Sequence, residues 1–210
     1  MYVPARYRVT DDAVIDEFLQ SNGFATLVTA GPGGLMATHL PIELERRADG
    51  RVLQGHVAKA NPQWKELEAA GEAMVVFLGP HTYVTPTWYD HPNVPTWNYQ
   101  AVHVYGPVRT LHRPDELLSR VRELSAHYEP PTNPPPRFDV DGLPADLRAA
   151  ELKGIVGFEL TVARVEAAFK LSQNRNPTDR ARIARELAAR PDDASRAIAR
   201  AMTEAPAVEP

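Results

Sequence analysis

The chain has no cysteine, which excludes disulfides, thiolate metal sites, cysteine nucleophiles and cysteine-ligated haem or iron–sulfur clusters. Any metal or haem has to be held by histidine, carboxylate, tyrosine, methionine or lysine. No run of about 18 apolar residues occurs, and Met1 is followed by the polar segment "YVPARYRVTDD" rather than by a charged start and an apolar stretch. A soluble, cytoplasmic protein without membrane contact is expected. Basic residues never gather into a block of five or six, and the formal net charge is -4, so phosphate tracking along nucleic acid is not expected. The patterns GxGxxG, P-loop and HExxH are missing, "GPGG" at 31–34 is a turn signal, and no nucleophile elbow supports Ser/His/Asp catalysis.

What remains is 210 residues with 43% apolar content, enough for one good core and so for one compact domain. "TDDAVIDEFLQSNG" predicts a short helix capped by Thr10 or Asp11, with Val14, Ile15, Phe18 and Leu19 on one face and Gly23 as a left-handed stop. Residues 24–30, 34–44 and 51–57 read as strands of a meander, joined by short turns. "NPQWKELEAAG" predicts a helix with Asn61 as cap, Pro62 in first position and an end at Gly71. "AMVVFLG", "TYVTPTW" and "VPTWNYQAVHVYG" supply further strands, and "RPDELLSRVRELSAHYE" an amphipathic helix with Leu117, Leu118, Val121 and Leu124 on one face. The Pro-rich stretch 130–144 reads as a surface loop or arm, and "GIVGFELTVARVEAAF" as one long strand with Phe158, Leu160 and Val162 on one side. The domain is taken as 1–190, the remainder 191–210 as a C-terminal helix broken at Pro191 and a frayed tail, "TEAPAVEP". The class is α+β with a mainly antiparallel sheet.

Three stretches carry chemistry. In "LQGHVAKANPQWKEL" a strand runs into a helix whose start carries His56, Lys59 and Asn61. Free N–H groups, the helix dipole, an ammonium and an imidazole together suit a phosphate or carboxylate; equally, Asn61 serves as a cap and Lys59 as a solvated charge. In "GLMATHLPIEL" alternation sets Leu35, Ala37 and His39 on one face, so His39 is either a metal ligand, a neighbour of a planar cofactor, or simply hydrogen-bonded. "GPHTYVTPTWYDHP" and "VPTWNYQAVHVYG" add His81, Tyr83, Trp88, Tyr89, Trp97, Asn98, Tyr99, His103 and Tyr105, the last three rings sharing a strand face with Ala101. Core packing accounts for the tryptophans and tyrosines, and less well for the histidine among them. "FKLSQNR", with Lys170, Gln173 and Arg175, packs polar groups densely behind a strand.

In this order, "MYVPARY", "ATHLPI", "GHVAKANPQW", "GPHTYV(T)P(T)WY", "VPTWNYQAVHVYG" and "FKLSQNR" resemble the motifs of the PaiB-like family, usually labelled FMN-binding negative transcriptional regulators. The resemblance covers residues 1 to about 190 and implies a split β-barrel with peripheral helices, a homodimer holding its cofactor between subunits. It places the anionic end of that cofactor, FMN phosphate or haem propionate, at His56, Lys59 and Asn61, and lays Thr38 and His39 under the ring. Trp88, Trp97, Asn98, Lys170, Gln173 and Arg175 complete the cofactor-binding set. One branch resembling this sequence is haem-dependent, the piperazate synthases, which join the two nitrogens of N5-hydroxyornithine. Flavin-type members often read Lys-Phe-Lys-Leu-Ser-Gln-Asn where this chain has Ala168-Phe169-Lys170, one cation fewer, which leans toward haem b with FMN as the alternative. The implied roles are His39 or His56 as iron ligand, Tyr83, Tyr99 and His103 as proton donors, and Lys59 or Arg175 as holder of the carboxylate of an amino-acid-like substrate. In the alternative, a PaiB-like regulator or small flavin oxidoreductase, regulation would run through a partner protein or cofactor sensing, because Asp179, Glu186, Asp192 and Asp193 interrupt the C-terminal arginines.

Overall fold

The computed structural model describes residues 1–129 and 138–204. Among them are six α-helices and a mainly antiparallel set of strands, as the α+β reading anticipates. No helix among the described residues is long and apolar enough to cross a membrane. The chain divides into two compact units, the first of Met1–Asn22, Phe77–His103 and Val165–Pro210, the second of Gly23–Val76 and Val104–Arg164.

In the second unit, β2 (Phe24–Gly31) and β3 (Gly34–Pro41) form a hairpin in which Thr26 faces His39 and Leu27 faces Thr38. Gly34 closes its turn at φ 95°, a region glycine enters without steric cost. β4 (Glu43–Arg47) and β5 (Gly50–Ala58) form a second hairpin, and β5 pairs with β8 (Ile155–Thr161) from Val52↔Thr161 to Ala58↔Ile155. β6 (Glu72–Val84) and β7 (Thr96–Leu111) are long strands that each run through both units; in the second, Val75 lies opposite Leu27 and Val108 opposite Leu160. Alternation puts Leu27, Leu53, Val75, Phe158 and Leu160 inside, each fully buried. α2 (Gln63–Ala70) covers one end and stops at Gly71 in the left-handed conformation, as its sequence predicts. α3 (Pro114–Tyr128) and α4 (Ala145–Lys153) complete the unit.

In the first unit, β1 (Arg8–Val9) pairs with β9 (Arg164–Lys170), which in turn pairs with β7. α1 (Asp12–Ser21) starts where Asp11 accepts the backbone N–H of Ala13 at 2.8 Å. α5 (Pro177–Ala188) and α6 (Asp193–Glu204) flank the expected break at Pro191, and Ile183, Leu187, Ile198 and Met202 bury one stripe of each.

Several boundaries differ from the sequence reading. The strand expected over 34–44 breaks at Ile42, which is buried and donates to the Gly23 carbonyl at 2.7 Å, because Pro41 has no N–H to continue the ladder. The strand expected in "TYVTPTW" ends at Val84 and becomes a 3₁₀ turn, Pro86–Trp88, capped by Thr85. The long strand expected over 154–169 is two, β8 and β9, interrupted at Val162 and Ala163. Gly23 is not the left-handed stop of α1, since positive φ among glycines occurs at Gly34, Gly50 and Gly71. Thr203 and Glu204, read as frayed, lie within α6, and α4 follows Pro144 unannounced. Of the Pro-rich arm, 130–137 lies outside the described residues, as does 205–210 of the tail; 138–144 contains a single 3₁₀ turn, Val140–Gly142.

Candidate functional site

The strand-to-helix junction of the second unit is built by Gln63, which is fully buried. Its side-chain amide donates to the carbonyls of Leu27 and Met36 at 3.1 and 3.3 Å, and its carbonyl accepts from Thr38 Oγ1 at 2.5 Å. Asn61 Nδ2 donates to Thr38 Oγ1 at 2.9 Å while Asn61 Oδ1 accepts the backbone N–H of Gln63 at 3.0 Å, so the expected cap does form, on a helix beginning one residue later than the sequence suggests. Thr38 and Asn61 are thus brought together. His39 stands exposed beside them in sequence, its Nδ1 2.8 Å from Thr26 Oγ1. That contact occupies one ring nitrogen and leaves Nε2 for another partner. His56 is half-buried on β5 opposite Gly157, and burial pushes its pKa down. Lys59 turns elsewhere: it lines a pocket of about 320 Å³ together with His112, Arg148 and Lys153.

The first unit presents rings to solvent. Trp97 on β7 is 53% exposed, with His81 and Tyr83 of β6 at centroid distances of 6.3 and 6.0 Å. Lys170 Nζ donates to the Trp97 carbonyl at 2.8 Å and to Thr96 Oγ1, and burial followed by the charge of Arg175 lowers its pKa. Asn98 is fully buried on the opposite face of β7, exchanging hydrogen bonds of 3.0 and 3.1 Å with Ser172. Gln173 folds back on its own loop, accepting from the Leu171 N–H and donating to the Phe169 carbonyl. Arg175 lies 4.5 Å over the Tyr89 ring, and Trp88 is covered by the guanidinium of Arg190 at 4.8 Å. The structure therefore gathers Tyr83, Trp97 and Lys170, and gives Asn98 and Gln173 loop-holding work. Tyr99 and His103 are half-buried further along β7. The His103 pKa is lowered by burial and then by the N-terminal ammonium, which itself pairs with Glu166.

Sequence reasoning missed Gln63, Ser172 and Thr96. A glutamine early in a helix looks solvated, and nothing local says that two strands will close over it. Ser172 has φ 61°, a left-handed value rare outside glycine; the density of polar groups in "FKLSQNR" was the available signal. Asp90, His91 and Asp179 bring potential ligand atoms within 4.8 Å, but Asp179 serves the start of α5, bonded to Asn176 and to the Asp90 N–H.

The depressed pKa values of His56 and His103 have a measurable sign. As pH falls below about 6.5 the unfolded chain takes up protons that these imidazoles refuse, so stability declines until the folded-state values are passed. The melting temperature should drop between about pH 7.5 and 5.5, and a His56→Asn, His103→Asn double variant should flatten that slope. An unchanged slope would assign the effect to other groups.

Residues 1–164 match the family model described as "Putative FMN-binding domain". The chain is 43% identical over 187 residues to "Protease synthase and sporulation protein PAI 2" of Bacillus subtilis, covering 89% of each chain. Among solved structures it is similar to the FAD and heme binding protein from Mycobacterium smegmatis, with TM-score 0.58 and 17% identity over 78% of this chain and 73% of that one. It is likewise similar to the conserved hypothetical protein Rv2991 from Mycobacterium tuberculosis, with TM-score 0.57 and 16% identity over 84% and 94%. At such identities the structural likenesses show a common fold, the split barrel that the motifs imply. The matched domain and the extent of the similarity to PAI 2 establish that this chain belongs to the PaiB-like family of FMN-binding-domain proteins.

Proposed function

We propose that the protein is a haem-dependent enzyme that converts N5-hydroxyornithine to piperazate and water. The observation that carries this reading is His39: an exposed imidazole with Nδ1 engaged by Thr26 presents Nε2 in the way that metal-binding histidines are held. His56, kept neutral by burial, is the second candidate ligand. Two surfaces fit parts of a planar anionic cofactor, each within its own unit: the Thr38–Asn61 junction beside the His39 strand, and the open ring face of His81, Tyr83 and Trp97 next to Lys170. Ala168, fully buried opposite Arg8, stands where flavin-type members often carry a lysine, one cation fewer for a flavin phosphate.

Bound haem would supply Lewis acidity toward the hydroxylamine oxygen. The reaction breaks one N–O bond and forms one N–N bond; the hydroxyl leaves as water with an added proton, the α-amine loses a proton, and no net oxidation occurs. Tyr83 is the donor we assign to the departing hydroxyl. His103 lies six residues beyond Trp97 on β7, roughly 20 Å along the strand, so it is assigned no step on the same substrate and the α-amine proton passes to water. We further propose a homodimer, because Phe24 and Leu35 of the second unit are 70% and 82% exposed; a monomer by sedimentation at micromolar concentration would end that part.

A flavin-binding regulatory role is the second reading, favoured by the extent of the similarity to PAI 2. An absorption spectrum separates the two. The haem reading expects a Soret band that shifts in His39→Gln or His56→Gln, cofactor retention weakened about tenfold in Trp97→Ala, and a product one water lighter than N5-hydroxyornithine by mass spectrometry. A two-banded yellow spectrum with no cyclised product gives the case to the flavin reading.

A further inference from the structure

Within the first unit, the end of β6 carries two rings of the open face. Alternation turns His81 and Tyr83 outward and buries Thr82 and Val84. Thr82 Oγ1 meets Ser195 Oγ of α6 at 2.8 Å, so the hairpin of α5 and α6 sits behind the strand, on the side away from the rings. Tyr83 is the next-to-last residue of β6, where a strand opens most readily unless it is tied down. Arg190, two residues past the end of α5, supplies the tie. Its Nη1 donates to the Tyr83 carbonyl at 3.0 Å and to Thr82 Oγ1 at 3.1 Å, and its guanidinium lies over the Trp88 ring. A cation after a helix C-terminus suits the dipole by itself. Two directed bonds to adjacent strand residues and a stacked indole exceed what the dipole requires, and bonds donated by a guanidinium are stronger than neutral ones. Arg182 Nη1 adds a bond to the Trp88 carbonyl at 3.2 Å, so the hairpin holds the turn Pro86–Trp88 as well as the strand leading into it.

We propose that Arg190 is the positioning residue for Tyr83: it fixes the strand end from the helical side and so aims the phenol on the outer face, without itself touching substrate or cofactor. The inference rests on the reading of His81, Tyr83 and Trp97 as the cofactor and substrate face. Removing the Arg190 side chain spares the hairpin. The Arg190 N–H bonds to the Leu187 carbonyl at 3.2 Å and the Arg190 carbonyl accepts from Arg196 Nη1 at 3.1 Å, both through backbone atoms that any residue keeps, and Thr82 retains Ser195. Positioning and folding are therefore separable. Because both bonds to β6 come from one nitrogen, a lysine ammonium can replace them, although it cannot lie flat on the Trp88 ring.

The test incorporates 3-fluorotyrosine into the full chain and reads fluorine NMR spectra of the ligand-free protein, with Tyr83→Phe assigning the Tyr83 line. Arg190→Ala should shift or broaden that line, while the lines of tyrosines away from the turn, such as Tyr105 and Tyr128, stay in place and the melting temperature changes little. Arg190→Lys should return the Tyr83 line to its wild-type position. In the cofactor-loaded protein, Arg190→Ala should lower kcat for cyclisation about tenfold or more with KM changed less than about threefold, because a misplaced proton donor is missed chiefly in the transition state; Arg190→Lys should recover most of the loss. An unmoved Tyr83 line in Arg190→Ala, equal displacement of all tyrosine lines, or no recovery in Arg190→Lys overturns the proposal. A wild-type protein that forms no cyclised product overturns the reaction assigned to this face, and the fluorine spectra then decide on Arg190 alone.

Discussion

Gly106→Ala should destabilise the protein by about 3 kcal/mol or more, read as a large fall in melting temperature or as insoluble expression. A Cβ at this position of β7 would collide with the carbonyl oxygen of Thr161, and would sit 2.9 Å from its carbon and 3.2 Å from the Ala163 nitrogen. These are backbone atoms, held by the bond from the Ala163 N–H to the Tyr105 carbonyl at 3.0 Å, so they cannot step aside as a side-chain tip could. The contact marks the place where the chain passes from β8 to β9, and the Arg164 guanidinium lies 3.5 Å over the Tyr105 ring just beyond it. Glycine is required here for close backbone approach rather than for an unusual φ. A stable Gly106→Ala protein would mean that the β8–β9 corner can move.

Replacing Glu159 by alanine should cost about 2–3 kcal/mol, less than the most deeply buried ion pairs because its partners reach solvent. Glu159 is 7% exposed and accepts from Arg47 at 2.6 Å and Arg109 at 2.9 Å, while those guanidiniums are 30% and 59% exposed. Burial alone pushes this carboxyl up; the hydrogen bonds from Arg47 and Arg109 outweigh it and hold the pKa below its ordinary value. The sign follows: the stabilisation is complete above the unfolded value near 4.3 and is lost as pH falls through the folded value. Glu159→Gln keeps the shape and removes the charge, so its unfolding curves should lose part of the acid-side decline that wild type shows between about pH 5 and 3. An equal decline in both proteins would move the acid sensitivity elsewhere.

The parts of this fold legible in the sequence are those decided within a few residues. Asp11 caps its helix, Gly71 ends one, and Pro191 separates two, because capping and left-handed turns are local chemistry. The break at Val162 and Ala163 was illegible, since apolar alternation runs straight through it and only the crossing at Gly106 shows why the strand must turn. α4 escaped notice because its apolar residues gather on no clear face and Leu147 is itself 44% exposed. Of the site, Asn61 and the neighbouring Thr38 could be found from a helix cap following a polar strand. That Lys59 shares a pocket with Arg148 and Lys153 could not, because about 90 residues of chain separate them and the pairing of β5 with β8 brings them together.

The reciprocal pair of Asn98 and Ser172 also works as a register lock. Successive side chains of a strand point to opposite sides, so sliding β7 by a single residue would exchange its two faces. Trp97 or Tyr99 would then meet the Ser172 hydroxyl, and neither can both donate to it and accept from it through one planar amide as Asn98 does. Ser172 keeps a left-handed backbone that serine otherwise avoids, so misalignment would lose two buried hydrogen bonds and retain the strain. The indole reaches solvent because the amide next to it can fit in only one place.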